Sequence, residues 1–563
     1  MSMRHGVETR LKSGCETDCS TSCLFATLLP LILLLLLATG CKKNPSSATS
    51  NPSRTDIVRP MAIEKDVIAS IHWLGKKQIS AQPDSAGLMN IWKLPESSQL
   101  EAHILDKMAL APWRLAAITN AASGDTAPPL LRSLLDDLLQ EEWYFELRRE
   151  TNEPAALALA IHLNRDQAAA WGKALPTIVS SLNQETNQVS SFLTHLEIAS
   201  LADWTLIGFG QQQNRTVAAM KARIERERHP FAPRATNFWV EAHVDLSQVN
   251  KRLPVLDPPQ SPTLDLTMVG DGKDVLTRVL ITFLDPINLN LDRWNIPVRL
   301  IPPEPLGLTA LNGVAPLLAK SKILSGLTEG NIPNQLFFWD RRGIPLQMFF
   351  AFPSKNAQQT FEILAPRFGE FLQSHLPPGA GAALINTTNC TFIWDNLVFG
   401  SPFLHAVTND GTAFVLGGFA LPSVTRSNRM PAEIAAHILN ATNLVFYDLE
   451  STGQRLSHWR YLDDTWRILS DASHAPRLRE GSPGLDWIAN CSSNLLYSTS
   501  ELRIESPKTL TFARKSTVGF TALEIDLLAN WVEMPSFPVG FSSFWATSSV
   551  PPAVIQRKSK PNR

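Results

Sequence analysis

The sequence predicts an α+β protein made of two duplicated modules, each a mainly antiparallel sheet with helices packed on one face. Strand-like apolar runs and amphipathic helices are mixed without the regular alternation that a doubly wound parallel sheet requires. Several later strands alternate polar and apolar residues, as antiparallel strands with one wet face do. The same order of features also occurs twice, in residues 89–286 and 288–536, and a tail of residues 537–563 follows.

Residues 1–40 have the layout of an export signal, with basic residues ahead of a charge-free apolar stretch from Cys23 to Thr39. This stretch is slightly short for the roughly 20 residues that a membrane span needs. It ends in Ala38-Thr39-Gly40-Cys41, which resembles the lipobox of bacterial lipoproteins. The resemblance implies that residues 1–40 are removed and that Cys41 carries a lipid. An uncleaved signal anchor and a buried core helix are the alternatives.

Residues 41–60 follow as a linker rich in Ser, Pro and Asn, with almost no apolar residue to build a core. Such a composition favours an extended, mobile chain. The resemblance therefore implies an exported protein tethered by lipid to a membrane of the cell envelope. Because Lys42, and not Asp, follows the cysteine, the pattern leans towards the outer membrane, with the body on its periplasmic or surface face.

Two helices are predicted before the first clear strand. One, from Asp66 to Gln78, makes residues 61–88 a helical segment, and the other is an acidic amphipathic helix around Leu130 to Glu142. We expect both to cover edges or faces of a sheet.

The repeat consists of an arginine doublet, an apolar strand, a capped helix and an internal proline, in that order. Two helices with the same apolar stripe and the same costly proline are hard to attribute to chance. The corresponding pairs are Pro112–Thr119 with Pro305–Asn312, Arg148-Arg149 with Arg341-Arg342, Asn164 with Ser354, Trp171 with Phe361, and Pro176 with Pro366.

Further along, two more segments correspond, and strands follow in each copy. Asp203–Gly210 matches Thr412–Phe419, and His243–Leu253 matches Phe446–Leu456. The predicted strands after them are "TLDLTMV" and "VLTRVLITF" in the first copy and "SELRIES", "TLTFARKS" and "FTALEIDLL" in the second.

Four polar residues recur in the second of these matches: Asp245 with Arg252, and Asp448 with Arg455. The structural interpretation is that each aspartate caps the helix that follows it. The functional alternative is a repeated polar edge that binds a ligand.

Motifs for chemistry are missing from the sequence. It contains no HExxH, paired CxxC, GxSxG or Walker loop, and its histidines are scattered, so no catalytic residue, metal site or cofactor is predicted. A net charge of -1 with 44% apolar residues argues against disorder and against a nucleic-acid partner. Cys390 and Cys491 could form a disulfide in an oxidising compartment, or be small buried hydrophobes.

Two functional classes follow, and the membrane is the expected partner of both through the lipid. The first is a non-enzymatic envelope lipoprotein that binds or organises another envelope component, and the second is a carrier of lipid or another hydrophobic ligand. A hydrolase without a recognisable motif is a third alternative. Beyond the leader, the chain looks similar to duplicated bacterial lipoproteins, a resemblance that implies no activity.

Overall fold

The computed structural model describes most of the chain after residue 65. The described residues are 66–115, 127–148, 156–185, 195–210, 213–231, 238–250, 261–319, 332–342, 347–375, 381–395, 400–420, 429–460, 481–534 and 537–538. Cys41, the linker and Arg252 lie outside them.

The fold is α+β, as predicted, and all 18 described strands belong to one sheet in which neighbouring strands are antiparallel. The strands are β1 (Val67–Trp73), β2 (Trp143–Arg148), β3 (Ala156–His162), β4 (Leu196–Leu201), β5 (Trp204–Phe209), β6 (Val240–Asp245), β7 (Thr263–Gly270), β8 (Val275–Thr282), β9 (Gly307–Asn312), β10 (Gln335–Arg341), β11 (Gln347–Pro353), β12 (Ala383–Asn386), β13 (Thr391–Trp394), β14 (Ser401–Asn409), β15 (Thr412–Ala420), β16 (Leu444–Ser451), β17 (Tyr497–Ser506) and β18 (Thr509–Ser516).

Helices surround this sheet, and the residues 452–460 that follow β16 are helical as well. The helices are α1 (Lys76–Ala81), α2 (Ala86–Trp92), α3 (Pro95–Leu115), α4 (Ala127–Gln140), α5 (Arg165–Glu185), α6 (Gln213–Glu227), α7 (Leu246–Asn250), α8 (Ala315–Leu318), α9 (Ala357–His375), α10 (Ala432–Leu439), α11 (Pro483–Cys491) and α12 (Ala522–Glu533).

The two halves of the sheet follow one strand order. From one end the first half runs β4-β5-β3-β2-β1-β6-β7-β8. From the other end the second half runs β12-β13-β14-β15-β11-β10-β9-β16-β17-β18. Apart from the hairpin β12-β13, the orders correspond strand for strand. The last strands of the halves, β8 and β18, pair with each other, so the two sheets are continuous.

The prediction of a helix from Asp66 to Gln78 was wrong. Residues Val67–Trp73 form β1, which lies between β2 and β6, and only Lys76–Ala81 is helical. All seven residues of β1 are buried. A central strand covered on both faces lacks the alternation of a half-buried strand, so its apolar run was mistaken for a helix. The segment 61–88 therefore contributes to the sheet of the first half.

Helices pack on both faces of the sheet, not on one as predicted. On the front face, α5 contacts Leu157 and Ile161 of β3, and α9 contacts Phe352 of β11. On the back face, α6 shares a hydrophobic cluster with Ala158 and Ala160 of β3. On the same face in the second half, α10 shares a cluster with Phe337 of β10 and Tyr447 of β16. Strands at the outer parts of the sheet carry apolar side chains on both faces, so each face needs its own cover.

The two corresponding helices, α5 and α9, contain Pro176 and Pro366 as predicted. Asn164 caps α5, since its Oδ1 accepts a hydrogen bond from the Gln167 amide at 2.9 Å. The second cap is Asn356 and not Ser354, because Asn356 Oδ1 accepts from the Gln359 amide at 3.1 Å. The side chain of Ser354 contacts Thr360 instead.

Two other sequence predictions were also wrong. The predicted strand "FTALEIDLL", residues 520–528, lies mostly in α12 (Ala522–Glu533), whose start is fixed by a capping box between Thr521 and Glu524. The match of Pro112–Thr119 with Pro305–Asn312 was the second error, because it aligns the end of helix α3 with strand β9. In the strand order of the first half, the place that corresponds to β9 is occupied by β1. The acidic helix around Leu130 was correct and is α4.

The C-terminal helices connect the halves. Trp487 of α11 donates to Ser97 Oγ of α3 at 2.9 Å, and Glu533 of α12 lies 3.3 Å from His103. These helices share a hydrophobic cluster with α3, α4 and α5. Among the helices of the described ranges, none has the length and apolarity to cross a bilayer.

Candidate functional site

A row of apolar side chains crosses the middle of the front face. Each member is paired with the next across neighbouring strands, and all eight are half-buried. Eight strands at the usual spacing span roughly 34 Å. We call this row the apolar band: Leu336, Leu311, Phe446, Leu502, Phe512, Val279, Leu266 and Ala242.

A second, shorter row of apolar residues runs beside the band on the same face. It consists of Ile504, Leu510, Ile281, Leu264 and Val244.

The back face of β17 and β18 is polar, whereas the back faces of β9, β10 and β16 contribute to a hydrophobic cluster. The polar face carries Thr499, Glu501 and Arg503 on β17, and Thr511 and Lys515 on β18. A sheet in water normally turns its polar face outwards and covers its apolar face. Three members of the band are partly covered, since Leu266 and Ala242 pack against the hydrophobic cluster of the N-terminal helices and Leu336 packs against the cluster under α9. Among the described residues, the other five belong to no hydrophobic cluster: Leu311, Phe446, Leu502, Phe512 and Val279. An apolar face left half-buried in this way is a feature of binding surfaces.

Exposure increases where the band reaches β10 and β11. Phe338 is 41% exposed and Met348 is 51% exposed, although both lie on the front face of the sheet. By contrast, the hydrophobic core beneath the N-terminal helices is well filled. A cavity lined by Trp73, Trp239 and Met268 measures about 20 Å³, room for about one water molecule.

Three buried carboxylates lie next to the band, on the same face. Asp448 is two residues from Phe446 on β16, and Thr309 donates to it at 2.6 Å. Asp340 is two residues from the exposed Phe338 and is paired with the exposed Met348. Asp448 retains 7% exposure, Asp340 6% and Glu450 1%.

Glu450 has a full set of partners. Its carboxylate accepts from Arg455 Nη1 at 2.9 Å, from Thr452 Oγ1 at 3.0 Å and from the Ala522 amide at 2.6 Å. Ala522 is the first residue of α12, so this carboxylate also interacts favourably with the helix dipole. Glu450 thereby links the sheet to α12.

Asp340 and Asp448 are less well compensated. Arg455 Nε lies 3.4 Å from Asp340 Oδ2, while Asp340 Oδ1 has no hydrogen-bond partner among the described residues. Arg514, the other nearby cation, donates to Glu524 at 2.7 Å and to Ser500 at 3.0 Å. Arg455 pairs directly with Glu450 and Asp340, and the charge of Arg514 also lowers the pKa of Asp448.

The approach of Arg455 to the sheet depends on Gly307. A Cβ atom at this position would lie 2.7 Å from Asp340 Oδ1 and 2.8 Å from the Arg455 guanidinium carbon. Both distances are shorter than van der Waals contact, so the ion pair would have to separate.

We expect Gly307→Ala to lower the free energy of unfolding by about 1–3 kcal/mol, the usual cost of overpacking. Gly172→Ala is the matched control, since nothing lies within 4 Å of its added Cβ. Gly172 is inside α5, where alanine favours the helix by up to about 1 kcal/mol. Chemical denaturation of the two variants measures this difference, and equal stabilities would contradict the packing described around Arg455.

Burial changes the protonation of this cluster. It raises the pKa of Asp448 to about 6, an effect that the Thr309 hydrogen bond opposes and the Glu450 charge reinforces. It raises the pKa of Asp340 as well, against the attraction of Arg455. Burial lowers the pKa of His458, which is therefore neutral beside Asp340. Burial thus outweighs the nearby positive charge, that of Arg455 for Asp340 and those of Arg455 and Arg514 for Asp448.

We expect Asp448→Asn to stabilise the protein at pH 7 by about 2–3 kcal/mol. The ordinary carboxyl pKa of 3.8 is raised to about 6 in the folded state, so the folded state binds an additional proton between these values. Wild-type stability therefore falls as the pH rises through this window, and the asparagine variant should not show this loss. Denaturation between pH 4 and 7 tests this, and parallel pH profiles would contradict it.

The residues of the proposed repeated polar edge have different surroundings in the two halves where the structure describes them. Asp245 caps α7 as expected, since its Oδ1 accepts from the Ser247 amide at 2.9 Å. Asp448 caps no helix, because it lies inside β16, three residues before the strand ends. Arg455, in the helical residues 452–460, turns back to Glu450 and Asp340. Arg252 is outside the described residues, so its pairing with Asp245 stays a prediction.

The two cysteines do not form the predicted disulfide. Both are free and buried, and they belong to different hydrophobic clusters. Cys390 lies under α9, whereas Cys491 ends α11. Burial raises the pKa of the Cys491 thiol to about 12, so it is unreactive. Both residues behave as small hydrophobes, the alternative that the sequence left open.

Sequence reasoning identified Asp448 and Arg455 but missed Asp340 and the apolar band. The strands of the band were predicted from their alternating residues, but their neighbours in the sheet were not. Asp340 lies one residue before the arginine doublet Arg341-Arg342, and only the doublet has a counterpart in the first copy. The register of β9, β10 and β16 pairs Asp340 and Glu450 with Gly307 from its two sides, and it places Asp448 beside Thr309, two residues along β9.

In the part of the chain that the structure describes, no three His, Cys, Asp or Glu side chains are arranged to hold a metal ion. No family model matches the chain, and no curated protein or solved structure matches it.

Proposed function

We propose that the protein is an exported lipoprotein, tethered to the cell envelope through Cys41, that binds the hydrophobic chain of an amphiphile on its apolar band. The observation that carries the proposal is the band itself, eight half-buried apolar side chains in a row, of which Leu502 and Phe512 lie on strands whose opposite face is polar. The ligand lies against an open surface, since the cavity of about 20 Å³ could not hold an acyl chain. The proposal assigns no catalytic residue.

Internal duplication is part of this proposal. The corresponding strand orders of the two halves support it, as do the two proline-containing helices and the burial of Trp171 and Phe361. Duplicated sheets joined through β8 and β18 produce a long surface that neither half would have alone. Leu502 and Phe512 come from the second half and Val279 and Leu266 from the first.

Calorimetric titration with octyl, decyl and dodecyl maltoside, each below its critical micelle concentration, tests the binding of the chain. A methylene buried on the band contributes about 0.8 kcal/mol, so the affinity should rise about fourfold per methylene. Leu502→Asn should weaken dodecyl maltoside binding about tenfold or more. Thr499→Asn, on the opposite face of β17, is the matched control and should have little effect.

The second candidate function is a scaffold that binds another envelope protein through the band. The filled core and the helices shared between the halves favour this rigid alternative. The maltoside series separates the two functions. An affinity that does not depend on chain length would contradict the carrier and favour the scaffold.

The membrane tether has its own test. We expect protein extracted from membranes to begin at Cys41 and to carry acyl mass there, because small residues precede this cysteine and a linker follows it. Two or three acyl chains hold a protein much more firmly than one. Mass spectrometry of the intact N-terminal peptide measures this, and an N-terminus upstream of Cys41, or an unmodified Cys41, would refute it.

A further inference from the structure

The carboxylates beside the apolar band indicate which headgroup the ligand carries. Phe446 of the band and Asp448 are on the same face of β16, two residues apart. On β10, Phe338 and Asp340 are also two residues apart on one face, and Met348 of β11 is paired with Asp340. A chain lying on the band at β16 and β10 would therefore bring its polar end to Asp340 or Asp448.

The charges in this corner do not balance. Arg455 makes its closest contact with Glu450, at 2.9 Å, and lies 3.4 Å from Asp340. Asp448 is attracted by the charges of Arg455 and Arg514, without a hydrogen bond to either among the described residues. Arg514 is bound to Glu524 and Ser500. An additional cation would be attracted to this corner, whereas an anionic headgroup would be repelled by the carboxylates.

Asp340 supplies an independent indication of a missing partner. It is 94% buried, since only 6% of it is exposed, and its Oδ1 has no hydrogen-bond partner among the described residues. Burial raises the pKa of Asp340, and the charge of Arg455 and the backbone amides of Gly307 and Asp340 oppose this without reversing it. A buried acceptor without a donor is costly, and a ligand that donates hydrogen bonds would remove that cost.

We propose that Asp340 and Asp448 bind the ammonium group of a cationic amphiphile whose alkyl or acyl chain lies on the apolar band. This inference rests on the proposed function, which supplies the site for the chain. An ammonium is compact and carries three donors, one of which supplies the hydrogen bond that Asp340 Oδ1 lacks, while its charge is attracted by Asp448. Glu450 and Arg455 are positioning residues, because their mutual pair holds Arg455 beside Asp340.

The test compares dodecylammonium, dodecyl maltoside and butylammonium by calorimetry at pH 7. We expect the wild type to bind dodecylammonium about tenfold more tightly than dodecyl maltoside, as a charge-assisted contact allows. In the double variant Asp340→Asn/Asp448→Asn this ratio should fall about tenfold, while the affinity for dodecyl maltoside is retained. Butylammonium should bind at least about a hundredfold more weakly than dodecylammonium, because it lacks most of the chain.

Each outcome distinguishes the headgroup site from the chain site. If both dodecyl probes bind and the double variant leaves their ratio unchanged, the ammonium site is overturned and the chain site stands. If dodecylammonium binds, loses affinity in the double variant and is matched by butylammonium, the site takes free amines and the proposed function fails. If no probe binds, both proposals are overturned. Retained dodecyl maltoside binding shows that the double variant folds.

Discussion

Replacing Glu146 with alanine is expected to lower the free energy of unfolding by about 3–5 kcal/mol, the cost of leaving buried charges unpaired. Glu146 is fully buried on the back face of β2. Its carboxylate accepts from Tyr144 at 3.0 Å and from Arg223 at 2.5 Å, and Arg148 also donates to it. Without Glu146, Arg223 would lose its carboxylate partner beneath α6.

Glu225→Ala is the matched control, since Glu225 is exposed on the same helix as Arg223. Surface substitutions of this kind usually change stability by less than about 0.5 kcal/mol. Denaturant unfolding of both variants at pH 7 measures the difference. If the free energies of unfolding of Glu146→Ala and Glu225→Ala differed by less than about 1 kcal/mol, Arg148 and Arg223 would have to be compensated by other partners or by water.

Trp171→Ala and Phe361→Ala are each expected to lower the free energy of unfolding by about 3–5 kcal/mol, the range for large aromatic side chains in a core. Trp171 retains 2% exposure in α5, and Phe361 is fully buried in α9. They occupy corresponding places in the two proposed copies, so their losses should be alike. Trp171 also loses a hydrogen bond to Asp137 at 2.8 Å.

Leu439→Ala in α10 serves as the control, because Leu439 is 44% exposed. Its change should remain below about 1 kcal/mol. Thermal or denaturant unfolding of the three variants makes the comparison. A small loss for only one of Trp171 and Phe361 would mean that the two helices pack differently, and the proposed duplication would lose its main energetic support.

Local patterns in the sequence predicted much of the fold. The proline-containing helices, the cap at Asn164 and the alternating strands β7, β8, β17 and β18 followed from residue types within short windows. The fold class could be predicted because such signals are strong for elements with one wet face. They failed for β1, where both faces are buried, and for residues 522–533, where the capping box was overlooked.

The candidate site could be predicted only in part, because it depends on strand pairing. Asp448 and Arg455 were identified as a recurring pair, but their roles were not. Arg455 reaches Asp340, which is more than a hundred residues away in the sequence, across the position of Gly307. The apolar band likewise joins β8 to β18, and no short window of sequence specifies that contact.

Photo-crosslinking measures directly whether an amphiphile lies on the apolar band. The probe is dodecyl maltoside with a diazirine near the end of its chain, and the adducts are mapped by peptide mass spectrometry. We expect adducts on front-face residues such as Leu502, Phe512 and Val279, and excess unlabelled dodecyl maltoside should abolish them. Adducts on Thr499, Glu501 and Thr511 of the back face, or on helices away from the band, would contradict this expectation.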